Sequence, residues 1–245
     1  MSSSASWPDG YGRIIRDTCD STNAEAARLA PTLSQPTWVL AHHQTGGRGR
    51  QGREWASPKG NFAATLAMRP TGNAGWAALR SFMIANALFE ALALHVRRTR
   101  LSLKWPNDVL LDNGKVAGIL LESASKGDQI DWLCIGVGVN LSHTPGGIRD
   151  AAFPPVAVGE EIDPEQFLTE LAGFYATEES ILMSLGFEPI REKWLRNAAR
   201  LGEVITARTQ DAEHTGQFKT VDDGGRLILD TADGEIRIAA ADVYF

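Results

Sequence analysis

The sequence predicts an α+β protein in two parts, a larger domain over residues 1–200 and a small all-β domain over residues 201–245. Three observations predict this division. Helical and strand patterns occur together in the first part, an Asn-Gly pair between two apolar runs marks a hairpin there, and the pattern changes after Leu201 to short alternating runs separated by turns. The chain has 245 residues, 43% of them hydrophobic, which suffices for one sizeable core and a small appended domain.

The composition limits the classes of function. With 24 Lys and Arg against 30 Asp and Glu, the net charge of −6 provides no field that collects nucleic acid or an anionic membrane surface from a distance. No apolar run approaches the roughly 20 residues that span a bilayer. The first residues lack the pattern of a secretory signal, so we expect a cytoplasmic protein in which Cys19 and Cys134 are core thiols.

The first elements can be read in order along the chain. Thr22 followed three residues later by Glu25 fits a capping box, which predicts a helix start. Residues 37–44 then read as a strand that runs into a glycine-rich loop, and residues 61–70 read as a second strand. Residues 74–96 are predicted to form one long helix, because apolar side chains recur near helical spacing.

A hairpin follows. The runs LSLKWPNDVLL and KVAGILLESA bracket Asp112-Asn113-Gly114, and Asn-Gly between two apolar runs is the strongest short hairpin signal in a sequence. Lys115 therefore opens the returning strand.

The next strand, DWLCIGVGVNLS, has a clean two-residue period. One face carries apolar side chains, and the other carries Cys134, Gly136, Gly138 and Asn140. Two glycines on one strand face indicate that a ligand or another backbone approaches closely there, although a bulge or a tight helix crossing accounts for one of them equally well.

The rest of the chain divides into a loop, two helices and the small domain. Residues 143–155 are rich in Gly and Pro and predict an exposed loop. Asp163 is expected to cap a helix that begins at Pro164 and continues to Gly186, and residues 188–200 predict another helix. Four short runs after residue 201 predict a small β-barrel.

The segment HHQTGGRGRQGREW carries unusual local charge. Four glycines and three arginines, Arg48, Arg50 and Arg53, lie between Gly46 and Arg53. Such a loop can bring backbone N–H groups and guanidinium forks to phosphate or carboxylate oxygens. It is neither a Walker A loop nor a dinucleotide fingerprint, and a solvated flexible loop is the alternative.

The segment KWPNDVLL places Lys104, Asn107 and Asp108 at the mouth of the hairpin, close to Lys115. Taken alone, Asn and Asp after a proline indicate a turn, and a lysine at a hairpin base is usually exposed. Their combination with a cationic loop and a glycine-faced strand favours a binding site.

Several motifs together resemble the biotin protein ligases. DSTN, QTGGRGRQGREW, KWPNDVLL, KVAGILLE and GVGVN occur in the order and spacing of that family, and the resemblance extends over roughly residues 14–245. It implies a central mixed β-sheet flanked by helices, as in class II synthetase and biotin ligase-like catalytic domains, followed by an SH3-like β-barrel. It also implies ATP-dependent activation of biotin to biotinyl-5′-AMP and transfer of biotin to one lysine of a biotin carboxyl carrier protein domain.

The same resemblance implies roles for particular residues. It implies biotin contacts for eight residues: Ser21, Thr22, Gln44, Arg48, Lys115, Gly118, Gly136 and Gly138. It implies ATP or adenylate contacts for nine: Gly47, Arg48, Gly49, Arg50, Arg53, Trp55, Asn107, Lys115 and Asn140. The catalytic residues are expected to be Lys115, Arg48 and Asn107, with Asp108 as a ligand of Mg²⁺.

These roles imply a mechanism based on charge. A biotin carboxylate must attack the α-phosphorus of a polyanion, and the two repel until Mg²⁺, Lys115 and Arg48 neutralise the approach. The loop from Gly46 to Gly52 is the expected lid that keeps water from the mixed anhydride.

The chain departs from the family pattern in a few places. Too few residues precede Thr22 for the helix-turn-helix domain of bifunctional members, so we expect no DNA-binding role. Gln51 stands where an arginine is common, and Ala-Asp-Val near the end stands where Gly-Glu-Val is frequent. Family members often form homodimers, but no interface is predicted here.

Three alternatives remain open at this point: a lipoate ligase or octanoyltransferase on the same fold, a non-catalytic module that binds biotin or nucleotide, and an arginine-rich loop that binds RNA. The absence of a broad basic face argues against RNA binding.

Overall fold

The computed structural model describes residues 6–127, 129–146 and 153–245. The larger part contains a sheet of seven strands, which in spatial order are β1 (Gly12–Cys19), β2 (Thr37–Gln44), β3 (Phe62–Met68), β7 (Gln129–Val139), β6 (Gly114–Lys126), β5 (Asp108–Leu111) and β4 (Leu101–Lys104). The β1–β2 pair is parallel and the other pairs are antiparallel, which confirms the mixed sheet.

The described part of the chain forms five α-helices beside this sheet: α1 (Thr22–Leu29), α2 (Ala74–Ala78), α3 (Arg80–Leu92), α4 (Pro164–Leu185) and α5 (Glu188–Arg196). The single long helix predicted over residues 74–96 is wrong in two respects, because the helix is interrupted at Leu79 and ends at Leu92. Leu79 keeps near-helical angles (φ −61°, ψ −20°). After it, the buried Arg80 reaches Glu179 on α4 at 2.8 Å, which fixes the start of α3 against α4.

The second sheet is antiparallel and has five strands. In spatial order these are β11 (Gly234–Ile238), β10 (Leu227–Thr231), β9 (Glu213–Val221), β8 (Val204–Arg208) and β12 (Asp242–Tyr244). The four predicted runs are confirmed, and β12 is an additional short strand. The five strands of this second sheet have the arrangement of a small SH3-like barrel.

The barrel shares its core with the larger part. Trp105 donates its indole N–H to the carbonyl oxygen of Gly225 at 3.1 Å, and the rings of Trp194 and Phe218 lie 6.5 Å apart. Buried side chains from both sheets form one continuous hydrophobic cluster. Among the described helices, none combines the length and apolar character needed to cross a bilayer.

The predicted hairpin is confirmed. Asp112 and Asn113 both have positive φ, 49° and 65°, as a type I′ turn between β5 and β6 requires. The run before this turn is not one strand, because residues 105–107 form a turn between β4 and β5.

Several local predictions need adjustment. The cap of α1 is Ser21 and not Thr22, with no side-chain capping bond, while Glu25 pairs instead with Arg16 and Arg28. Strand β1 had no prediction, and Cys19 at its end is half-buried and not a core thiol.

Other predictions hold. Cys134 is fully buried, and both cysteines are free. Asp163 accepts the N–H of Glu165 at 3.0 Å and caps α4 as predicted. Helix α5 stops at Arg196, before the predicted end, and part of the loop expected at 143–155 lies outside the described residues.

Candidate active site

A cleft of about 860 Å³ lies between the seven-stranded sheet, the glycine-rich loop and the barrel. This volume is that of a site for a small ligand or cofactor. The structure brings all but one of the predicted site residues to its walls: Ser21, Thr22, Gln44, Arg48, Gly49, Arg50, Arg53, Trp55, Asn107, Asp108, Lys115, Gly118, Gly136, Gly138 and Asn140. Gly47 lies behind the wall, in the loop itself.

One end of the cleft is a compact hydrogen-bonded group at the start of α1. Gln44, the last residue of β2, accepts the backbone N–H of Thr22 at 2.7 Å through Oε1, and its Oε1 lies 3.2 Å from Thr22 Oγ1. Ser21 and Thr22 are both only 4% exposed. The N–H of Thr22 is therefore taken by Gln44, and the side chains of Ser21, Thr22 and Gln44 line the cleft.

The floor of the cleft is the predicted glycine face, and protein side chains already approach it closely. A Cβ atom at Gly136 would collide with the amide of Asn23, and one at Gly138 would collide with the indole of Trp55. At Gly118 the indole and Lys115 lie about 3.3 Å from where a Cβ would be. The indole of Trp55 thus covers part of the floor that was expected to hold biotin.

A group of charges forms the other end of the cleft. Asp108 at the start of β5 lies 2.7 Å from Lys115 Nζ and 3.4 Å from Lys104 Nζ, and its side chain is 11% exposed. Burial alone raises the pKa of Asp108, but Lys115 and Lys104 hold it below its usual range. Burial lowers the pKa of Lys104, and Asp108 opposes that shift. The carboxylate fixes two ammonium groups at the cleft wall.

This arrangement does not support Asp108 as a ligand of Mg²⁺. Its carboxylate is already neutralised by two lysines, and a metal ion there would have to displace one of them. Within the described residues, no group of three His, Cys, Asp or Glu side chains is placed to hold a metal.

The glycine-rich loop folds into a small hairpin against the barrel. The backbones of Arg48 and Glu54 form an isolated antiparallel β-bridge, and Trp55 N donates to Gly47 O at 2.9 Å. A Cβ at Gly47 would collide with the carbonyl oxygen of Trp55, so the loop path requires glycine there. Arg53 forms an ion pair with Asp242 of β12, which joins the loop to the second sheet.

Arg50 and Asn107 connect this loop to the turn before β5. Arg50 Nη1 donates to Asn107 Oδ1 at 3.3 Å, and Asn107 Nδ2 donates to Ile119 O at 2.6 Å. Arg50 Nη1 is also 4.0 Å from Asp242 Oδ1. The guanidinium group of Arg50 therefore lies next to the turn that leads into Asp108, the centre of the charged group.

Asn140 is 1% exposed and is engaged with the protein. Its Nδ2 donates to Val156 O at 3.1 Å, and its Oδ1 lies 3.5 Å from Asn61 Nδ2. Asn140 thereby fixes the chain beside the cleft, which differs from the expected direct orientation of a nucleotide.

Some residues of the cleft were not predicted from the sequence. Asn23, Phe153 and three barrel residues, Arg208, Asp242 and Tyr244, line it. Asn23 belongs to the DSTN motif and could have been included. The barrel residues carry no local signal, because only the packing of the two sheets brings them to the cleft.

Comparisons with known proteins agree with this geometry. Residues 11–140 match the model of the biotin/lipoate A/B protein ligase family, and residues 201–245 match the biotin protein ligase C-terminal domain. The chain is 52% identical to a biotin–[acetyl-CoA-carboxylase] ligase of Paracoccus denitrificans, over 92% of this chain and 97% of that protein. It is 30% identical to the bifunctional ligase/repressor BirA of Bacillus subtilis, over 96% of this chain and 74% of that protein.

A solved structure has the same fold. The biotin protein ligase of Aquifex aeolicus in complex with biotin and ATP aligns with a TM-score of 0.77 and 25% identity, over 95% of this chain and 97% of that one. The chain therefore belongs to the biotin/lipoate A/B protein ligase family. Within that family, its C-terminal match and its similarity to the Paracoccus ligase place it with the biotin protein ligases.

Proposed function

We propose that this chain activates biotin with ATP as biotinyl-5′-adenylate and transfers the biotinyl group to a lysine of a biotin carboxyl carrier domain. One observation carries the proposal: a single cleft has a hydrogen-bonding group, Thr22 with Gln44, at one end and the ammonium groups of Lys104 and Lys115 at the other. The glycine floor lies between them, and the indole of Trp55 covers part of it. The Aquifex ligase, solved with biotin and ATP, and the name of the Paracoccus ligase support this assignment.

The chemistry follows from the positions of the charges. A carboxylate oxygen of biotin attacks the α-phosphorus of ATP, and the bond to the leaving pyrophosphate breaks. Both reactants are anionic, so Lys115 and Arg50 lower the barrier by neutralising the approach and the developing charge. An acceptor lysine amine then attacks the carbonyl carbon of the mixed anhydride and releases AMP. Arg48, with its side chain half-exposed at the loop, is suited to cover the biotin carboxyl end.

Mg²⁺ is the metal that the family resemblance implies, and the residues do not fit a protein-built site for it. Asp108 already forms ion pairs with Lys104 and Lys115. Mg²⁺ commonly binds through substrate phosphates and retained waters with few protein ligands, and it can therefore enter with ATP. None of the steps above depends on a protein-bound metal.

Exchange of labelled pyrophosphate into ATP tests this function when it is measured with and without biotin, followed by transfer to a purified carrier domain. Lys115→Ala is expected to reduce biotin-dependent exchange by at least about 100-fold, because it removes a cation positioned for the transition state. Lys219→Ala, in an exposed ion pair with Glu235 on the barrel, is the matched control and should behave as wild type. Exchange that is driven by lipoate instead of biotin would overturn the assignment.

A further inference from the structure

A chain of polar side chains runs from the cleft into the sheet behind it. Asn23 of α1 is 4% exposed, and Thr65 of β3 is fully buried. Thr65 pairs in register with Gly136 of β7, and the missing side chain at Gly136 leaves the space that the amide of Asn23 fills. On the far side of Gly136, Glu122 of the neighbouring strand β6 reaches the same amide.

The orientation of the Asn23 amide is fixed mainly by Glu122, with a weaker contact from Asn23 Nδ2 to the carbonyl oxygen of Leu120 at 3.5 Å. Asn23 Nδ2 donates to Glu122 Oε2 at 2.7 Å, and a carboxylate can only accept. Asn23 Oδ1 therefore faces the other way, toward Thr65 Oγ1 at 2.6 Å. Arg48 Nη2 lies 3.5 Å from Glu122 Oε1 and balances the charge at the open end of the chain.

The orientation of Asn23 determines where the hydroxyl protons point. Thr65 has one hydroxyl proton, and Asn23 Oδ1 cannot donate, so the proton of Thr65 goes to Asn23. Thr22 Oγ1, 2.8 Å from Thr65 Oγ1, must then donate its own proton to Thr65 or to Gln44 Oε1 at 3.2 Å. In either case Thr22 keeps only lone pairs for the cleft.

Gln44 is oriented in the same manner. Its Oε1 receives the backbone N–H of Thr22, which can only donate, so its Nε2 is on the other side, next to Gly47. This end of the cleft therefore presents an acceptor on Thr22. A ring N–H group, as in a cyclic urea, can donate to it, and a dithiolane or alkyl group cannot.

We propose that Glu122, acting through Asn23 and Thr65, fixes the hydroxyl proton of Thr22 and thereby makes the cleft selective for a ring that presents an N–H group. Glu122 and Thr65 are positioning residues, since neither needs to touch the ligand. This inference rests on the proposed function and names the residues that set its choice of substrate.

The test uses ligands that differ only in the group that faces Thr22. Binding is measured by calorimetry for biotin and for its two oxazolidinone analogues, in each of which one ureido N–H is replaced by a ring oxygen. In the wild-type protein, the analogue that places oxygen against Thr22 should bind roughly 10- to 100-fold more weakly than biotin, because two acceptors then face each other. The measured quantity is the dissociation constant of this analogue divided by that of biotin.

Two variants should reduce that ratio to only a few-fold. Thr65→Val removes the nearer acceptor for the Thr22 proton and leaves only Gln44 Oε1 at 3.2 Å, so the proton can more readily turn toward the analogue. Glu122→Ala removes the nearer acceptor of Asn23 Nδ2 and leaves only the weak contact with Leu120 O at 3.5 Å. The amide can then reverse, so that Thr65 donates to Thr22 and the Thr22 proton becomes available. Loss of the Arg48 contact in the second variant affects both ligands alike and cancels in the ratio.

Two further variants serve as controls. Glu122→Gln keeps an acceptor oxygen for Asn23 but can also donate, so its ratio should lie between those of the wild type and Glu122→Ala. Thr37→Val removes another buried hydroxyl of the same sheet, which donates to Gln35 O at 3.0 Å away from the cleft, and should leave the ratio unchanged.

The outcomes separate the inference from the proposed function. A ratio unchanged in both Thr65→Val and Glu122→Ala, in folded proteins that bind biotin, overturns the role of Glu122 while the ligase assignment stands. Absence of biotin binding and of biotin-dependent exchange in the wild-type protein overturns the proposed function itself.

Discussion

At the scale of single residues, Asp108 has a role that differs from the expected one. Its carboxylate lies between Lys104 and Lys115, and it holds both at the cleft wall. Buried ion pairs contribute little net stability when compared with apolar residues, but removing one partner leaves an uncompensated charge. Asp108 therefore links the stability of the protein to the placement of the groups that are proposed to act on ATP.

Asp108→Asn is expected to lower the free energy of unfolding by about 3–5 kcal/mol at neutral pH, because Lys104 is left buried without its counter-ion. The lysines hold the pKa of Asp108 below its usual range. Its contribution is therefore present above the ordinary aspartate pKa and is lost as the pH falls through the lowered value. Urea unfolding of both proteins across the acid range measures this difference.

Asp112→Asn is the matched control in the adjacent turn. Asp112 pairs with Arg100, but its side chain is 55% exposed, and asparagine tolerates the positive φ at this position. A change below about 1 kcal/mol is expected for this exposed pair. Equal effects of the two substitutions would contradict the role of the buried pair.

At the scale of elements, the glycine-rich loop is a folded hairpin with defined partners. Arg50 reaches Asn107, and Arg53 reaches Asp242 of the barrel. Phosphate oxygens can replace a carboxylate as the partner of a guanidinium group. The loop is thus held by contacts that an anionic ligand can take over, in agreement with the proposed lid.

Arg50→Gly should speed the release of the adenylate roughly 10- to 100-fold, since it removes charge-assisted hydrogen bonds near the proposed phosphate position. The released mixed anhydride then acylates amines of a bystander protein that lacks a carrier domain. Gln51→Gly, in the same turn and at φ 56°, is the control, because glycine adopts that angle without strain. Bystander labelling at the wild-type level in Arg50→Gly would argue against the lid.

The elements that the sequence predicts are those with a local cause. The Asp112-Asn113-Gly114 segment identified a hairpin because the turn itself requires positive φ, which Asp112 and Asn113 adopt, and Asp163 identified the start of α4 because a cap acts within one turn. Strand β1 was missed because an edge strand with mixed charges lacks an apolar period. Thr65 could not be assigned, since its proposed role depends on side chains from α1 and β6.

At the scale of the whole molecule, three segments that are distant in sequence meet in one polar cluster, which joins Tyr11, Arg80 of α3 and residues of α4. The phenol of Tyr175 on α4 donates to Glu179 at 3.1 Å, the same carboxylate binds Arg80 of α3, and the ring of Tyr11 packs edge-on against Tyr175. Burial and then Glu179 raise the pKa of Tyr11 to about 12. The folded state therefore keeps Tyr11 neutral in a range where the unfolded chain ionises.

This shift predicts an alkaline loss of stability. With its pKa raised from 10.0 to about 12, Tyr11 contributes stability that is complete below pH 10 and is lost as the pH rises through the folded value. Tyr11→Phe should therefore show a smaller decrease in the free energy of unfolding over this range than the wild type. Urea unfolding at several alkaline pH values measures both slopes, and parallel slopes would exclude Tyr11 as a cause.

The position of Trp55 has a practical consequence. Its indole lies over Gly118 and Gly138, with Lys115 Nζ 5.7 Å from the ring centre. A molecule that settles on the same floor must change the polarity around this chromophore, so the intrinsic fluorescence of the protein contains an optical signal of occupancy. A Trp55→Phe spectrum recorded in parallel separates that signal from the emission of the other tryptophans.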